Sequence, residues 1–153
     1  MGDVDLTRSL ELLFTYLDEV PALYRKYTDE QLLYKPGPAK WSKKEILGHL
    51  IDSAINNLQR FTEIQFLPSP YIVESYRQED LVLVNRYQEL PIEHLLVLWT
   101  SLNRQIIYVA ESLSPDTLSK EVNPQYINNE MKSLGWIIGD YVAHLSHHLK
   151  QVK

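Results

Sequence analysis

The sequence predicts an all-α fold, most simply a four-helix bundle, and three observations predict it. Apolar residues recur at three- and four-residue steps in four separate windows, the period of a helix with one buried face. Proline and glycine gather mainly between those windows. No stretch keeps the alternation of a half-buried sheet, although the run from Ile72 to Tyr76 could pair locally. With 153 residues and 44% hydrophobic content, the chain is long enough to bury one sizeable core, so residues 1–153 read as a single domain.

The first helix is marked by Leu6, Leu10, Leu13, Leu17 and Val20, after which Pro21 is expected to kink or restart it. Pro36, Gly37 and Pro38 then force a loop. Ser42 followed by Glu45 is a capping-box pattern: the serine oxygen takes one orphan backbone donor while the glutamate reaches back for another. A second helix therefore starts there and runs toward Phe66, where Pro68 and Pro70 stop it. Leu67 to Leu90 is too long for a tight turn and reads as a crossover holding a short helix near Gln78 to Tyr87. Pro91 suits the first turn of a third helix, with Leu95, Leu98, Leu102, Ile106 and Val109 keeping the period up to Ser114 and Pro115. A polar linker containing Pro124 leads to the fourth helix, marked by Leu134, Ile137, Ile138, Tyr141, Leu145, Leu149 and Val152.

Composition narrows the function classes. The chain has no cysteine, so disulfides and thiolate ligation are excluded and any metal must be held by histidine, carboxylate or water. A net charge of -5 with scattered basic residues argues against nucleic acid as a partner. The acidic start lacks the pattern of a signal peptide, and no apolar run approaches the roughly 18 residues of a spanning helix. The expectation is a soluble cytoplasmic protein.

Chemistry concentrates in two helices. His144 and His148 lie one helical turn apart, roughly 6 Å along the axis, and can aim both imidazoles at one point; histidines at a helix end also complement the macrodipole without any ligand. On the second helix His49, Asp52, Ser53, Asn56 and Arg60 share one stripe, because offsets of three, four, seven and eleven residues return to nearly one direction. Such a stripe faces either water or a cleft, and the wide apolar remainder of this helix favours a cleft. The long crossover makes the second and third helices parallel and the fourth antiparallel to the second. His49 then lies at the depth of His144 and His148, and the three would meet near one mouth of the bundle.

The run KWSKKEILGHLIDSAINNLQRF, followed far downstream by DYVAHLSHHLKQV, resembles the DinB-like superfamily, in particular its YfiT-type branch. The resemblance covers most of the chain and implies a four-helix bundle of up-down-down-up connectivity. It also implies a divalent metal, zinc or nickel foremost, held by His49 in an H-x-x-D-S pattern and by His144 and His148 in H-x-x-x-H, with His147 as a neighbour that is not a ligand. Leu58 and Leu81 depart from similar sequences, which carry histidine or tryptophan there. Some members use bacterial low-molecular-weight thiols in S-transfer, and a homodimer is implied as well.

The expectation is thus a metal-dependent hydrolase or thiol-dependent S-transferase acting on a small molecule, the metal serving as a Lewis acid toward water or thiol. The alternatives are a binding module without turnover, such as a sensor, and a structural bundle whose histidines pack and cap. Asp52 would accept a proton or else bond a ligand histidine or helix cap. Arg60 would hold an anionic substrate group or form a salt bridge. Ser53 and Asn56 would orient substrate or water or pack between helices, and Asp140, one turn before His144, would orient that ring or lie exposed. Gln151 and His94 receive no chemical role.

Overall fold

The computed structural model describes residues 2–128 and 130–153, with side chains from Leu6 onward. Met1 and Asn129, which belong to the acidic start and the polar linker of the sequence reading, lie outside the described residues. Helix α1 spans Gly2–Arg25, α2 Asp29–Leu33, α3 Lys43–Glu63, α4 Gln78–Val84, α5 Ile92–Glu111, α6 Pro115–Leu118 and α7 Leu134–Val152. The four long ones, α1, α3, α5 and α7, correspond to the four apolar windows. The crossover adds a 3-10 turn over Tyr87–Glu89 after α4.

Contacts at the helix ends set the directions. Arg25, closing α1, donates to both carboxylate oxygens of Glu93 at the start of α5, at 3.0 and 2.8 Å, so α1 and α5 are antiparallel. Lys43 at the start of α3 donates to the Val152 carbonyl at the end of α7 at 3.2 Å. Phe61 near the end of α3 meets Tyr141 early in α7, ring centroids 5.9 Å apart. Thus α3 and α7 are antiparallel as well. Tyr16 bonds Ser146 at 2.8 Å and Tyr27 donates to the Val152 carbonyl at 2.7 Å, which runs α1 alongside α7 in the same sense. This is the up-down-down-up arrangement.

The core gathers the inward faces of all four long helices, with Trp99, Tyr24, Phe61, Leu47 and Ile51 among its fully buried side chains. The capping box of α3 is formed as predicted: the Ser42 hydroxyl accepts from Glu45 N at 3.0 Å and Ser42 N donates to Glu45 Oε1 at 3.1 Å. A second box at Thr28 and Gln31, not anticipated, starts α2.

Three expectations are corrected. Of the two outcomes expected at Pro21, a restart does not occur: the first helix runs through it to Arg25. An interior proline forfeits one backbone bond, at a cost of about 3 kcal/mol in an isolated helix. Here Val20, Pro21 and Tyr24 are buried beyond or at that point, and Tyr24 also donates to the Lys43 carbonyl at 2.8 Å; tertiary burial offsets the lost bond. Second, the wide apolar remainder of the second helix is not all buried, Ile55 being 45% exposed, and the inward face of α5 is carried by Leu96, Trp99, Asn103 and Ile107 as well as Leu95 and Ile106, with Leu98, Leu102 and Val109 only half-buried. Third, a small sheet exists. Strand β1 (Tyr71–Ile72) pairs in parallel with β2 (Glu121–Asn123), Tyr71 opposite Val122, and β2 pairs antiparallel with β3 (Lys132–Ser133). The Ile72 region thus pairs with the distant linker rather than locally. This sheet ties the crossover to the segment before α7.

Candidate metal centre

His49, His144 and His148 come together, each offering a ring nitrogen, with all three nitrogens within 4.8 Å of one another. The antiparallel packing of α3 against α7 produces the meeting, since one residue in the second turn of α3 faces two successive turns of α7. His49 is fully buried, and neither of its ring nitrogens has a hydrogen-bond partner. A buried polar atom left unpaired costs about 1–3 kcal/mol, so two on one ring call for a ligand. His144 Nε2 and His148 Nε2 lie 3.1 Å apart.

The surroundings keep the set uncharged. Burial first, and then the neighbouring His148 and His144, push the His49 pKa down to about 3. His144 and His148 are lowered as well, again chiefly by burial. All three imidazoles are therefore neutral near pH 7, as metal ligation requires. Gln151 Oε1 sits 3.2 Å from His148 Nδ1; an amide oxygen only accepts, so Nδ1 carries the proton and Nε2 presents its lone pair to the cluster. Trp41 lies over His49, centroids 4.7 Å apart. Three neutral nitrogens, one of them on an otherwise unsatisfied ring, fit a divalent cation.

Beside His144 opens a cleft of two lobes, of about 400 and 560 Å³. The inner lobe is lined by Ser53, Asn57, Arg60, Tyr76, Tyr126 and Asp140 among others. The polar stripe of the second helix is thus split. At about 100° per residue, Ser53, Asn57 and Arg60 fall on one side of the His49 direction and Asp52 and Asn56 on the other, so only the first three face the cleft.

Asp52 hydrogen-bonds no ligand histidine. It accepts from Tyr87 Oη at 2.5 Å and Asn85 Nδ2 at 3.2 Å, and its other oxygen is buried without a partner. Burial raises its pKa against the lowering effect of those two donors. Asn56 donates back to the Asp52 carbonyl at 2.8 Å and lies off the cleft lining. Its place is taken by Asn57, which donates to the Ser53 carbonyl at 2.8 Å and accepts from Arg60. Arg60 forms no salt bridge among the described residues. Asp140 accepts from Tyr126 Oη at 2.5 Å rather than bonding His144, although its charge raises the His144 pKa against the stronger lowering influences. His94 and His147 are exposed. Gln151 was given no chemical role from the sequence, whereas it contacts His148, and Trp41 and Asn57 were not singled out. For Asn57 a signal was available, the four-residue step from Ser53; for Trp41, ahead of its helix, none was.

The model of the DinB superfamily matches residues 8–152. A relative from Oceanobacillus iheyensis, named a "putative metal-dependent hydrolase", is 24% identical over 149 residues, which cover 97% of this chain and 84% of its own. Among solved structures, YfiT from Bacillus subtilis, described as "a probable metal-dependent hydrolase with an unusual four-helix bundle topology", has a TM-score of 0.87 at 18% identity over 99% of this chain and 86% of its own. A mycothiol-dependent maleylpyruvate isomerase aligns with a TM-score of 0.66 at 13% identity over 94% of this chain but 59% of its own, so this chain matches little more than half of that protein. The structural likenesses establish the fold, and the names of the two metal-dependent relatives together with the histidine cluster suggest a divalent metal. With the family model matched from residue 8 to residue 152, the chain belongs to the DinB superfamily.

Proposed function

We propose that this chain is a metal-dependent enzyme acting on a small molecule, either a hydrolase or a thiol-dependent S-transferase, with His49, His144 and His148 holding a divalent cation, zinc or nickel in preference. The observation that carries the reading is His49: a neutral, fully buried imidazole with both nitrogens unpartnered, facing two further imidazoles. A structural bundle has no use for that arrangement, because a packing histidine satisfies at least one nitrogen. A cation there supplies Lewis acidity, which makes water or a thiol a competent nucleophile near pH 7.

The chain's own residues supply the rest. Gln151 fixes the tautomer of His148, and Trp41 packs against the His49 ring. Ser53, Asn57 and Tyr76 shape the cleft beside His144, where a substrate has room to lie. Water and a small thiol compete for the same role, and the fold likeness to a mycothiol-dependent enzyme supports keeping thiol transfer beside hydrolysis.

The test is elemental analysis of protein made without a histidine tag, followed by turnover assays with esters, amides and thiol-plus-electrophile pairs. Bound divalent metal, lost in His49→Ala, and turnover lost in a His144→Ala, His148→Ala double variant are expected. Metal-free protein that rebinds no cation, or turnover that survives the double variant, refutes the proposal. Metal binding without any turnover leaves the reading of a binding module.

A further inference from the structure

The cleft beside His144 contains a cation, Arg60, that forms no ion pair among the described residues. Arg60 donates through Nη2 to the Glu74 carbonyl at 2.5 Å and through Nη1 to Asn57 Oδ1 at 3.5 Å. The rest of its five N–H donors have no partner among the described residues. The Tyr76 ring lies 5.4 Å from its guanidinium carbon. These contacts pin the fork from the sides, so little side-chain entropy remains to be lost when a ligand docks. Arg60 lines both lobes of the cleft, and His144 lines both with it.

We infer that the cleft binds a small organic monocarboxylate, with Arg60 as the residue that selects it and with the reactive end of the ligand directed toward His144. This rests on the enzyme reading above for its purpose, though not for the binding itself. A guanidinium fork matches carboxylate and phosphate alike, and the remaining charges decide between them. Asp140 lines the inner lobe and the exposed Glu74 the outer one. One guanidinium opposed by these carboxylates offsets a single negative charge better than a phosphate dianion. Asp140 accepts from the Tyr126 hydroxyl, and the side chains of Tyr76 and Tyr126 line both lobes, where they can flank an apolar body. The cleft volume suits a ligand of some ten heavy atoms or more, on the scale of ordinary small-molecule sites.

The test uses the full chain without metal, so that no cation competes for the carboxylate. Wild-type protein is titrated with 3-phenylpropionate, with the corresponding neutral amide, and with inorganic phosphate, and followed by NMR shifts of cleft residues. The carboxylate should bind about tenfold tighter than the amide, as expected for a charge-assisted pair, and phosphate should bind more weakly than the carboxylate. Arg60→Gln should abolish the preference, while Arg60→Lys should retain part of it, which controls for any disturbance of the Glu74 wall. Asp140→Asn should tighten carboxylate binding severalfold, because it removes the opposing charge while leaving an oxygen for Tyr126. Equal affinity for acid and amide, an unchanged preference in Arg60→Gln, tighter binding of phosphate, or unchanged or weaker binding in Asp140→Asn would each overturn the proposal. Arg60-dependent binding in a protein that takes up no divalent cation when one is added refutes the enzyme reading alone. Turnover without Arg60-dependent binding refutes this one alone.

Discussion

Gln151 holds His148 by the ring nitrogen that the cluster does not use, and this gives the residue scale its first prediction. Such partners of ligand histidines typically contribute 10- to 100-fold to metal affinity. Gln151→Leu should therefore weaken zinc binding by about tenfold or more, measured by competition with a chelating indicator, with little change in thermal stability because the side chain is exposed. Equal affinity would mean that His148 orients itself. Asp52 behaves differently, since its bonds lead to Tyr87 and Asn85 and its pKa is raised by burial. A carboxyl whose folded pKa exceeds its unfolded value of about 3.9 stabilises the fold fully only below that value. The contribution is lost as pH rises through the folded pKa. Asp52→Asn should thus raise the melting temperature relative to the parent at pH 7, and the gain should shrink as pH falls toward 4; a gain independent of pH would exclude Asp52 as the titrating group. That Asp52 faces Tyr87 was not legible from the sequence, because its partner comes from a 3-10 turn 35 residues further on, and local periodicity carries no information about such a neighbour.

At the scale of the element, α3 was legible in its start and its period. The capping box and the apolar steps depend on residues within one or two turns of each other, where helical geometry alone sets the relation. What was not legible is which edge of the polar stripe faces the cleft, since that depends on the rotation of α3 against α7. The small sheet escaped for a related reason: strands of two or three residues show no alternation, and β1 and β2 are about 50 residues apart. Gly48 sharpens the point. A Cβ there would lie 2.1 Å from a ring carbon of Tyr87, so only glycine lets that ring pack flush on α3 and donate to Asp52. Gly48→Ala, which in an open helix would gain up to about 1 kcal/mol, should here cost about 1–3 kcal/mol from overpacking. Denaturant unfolding checks it, and a neutral or stabilising effect would show that the crossover yields easily. Because His49 is the next residue, the same variant should also weaken metal binding.

At the scale of the whole molecule, the three histidines link elements at opposite ends of the chain, α3 and α7, and a cation bound between them stabilises only the folded state. The unfolded chain separates His49 from His144 by about 95 residues, and its affinity for the metal is correspondingly low. At a metal concentration near 100 times the dissociation constant, the folded state should gain about 2.7 kcal/mol. For a chain of this length that corresponds to a rise of roughly 5–11 °C in Tm. Zinc and nickel added to metal-free protein should both produce the shift, and magnesium, which prefers oxygen ligands, should not. His144→Ala should abolish the rise while changing the metal-free Tm far less than a core substitution does, because much of the residue's surface is exposed. His49→Ala should abolish it too, but with a changed metal-free Tm, since the side chain is fully buried: the cavity lowers stability while the loss of two unpartnered nitrogens raises it. Calorimetry of the four proteins with and without zinc, the fourth carrying His147→Ala, separates a site from nonspecific binding. A rise that persists in His144→Ala, or that disappears in His147→Ala, would place the metal somewhere other than between α3 and α7.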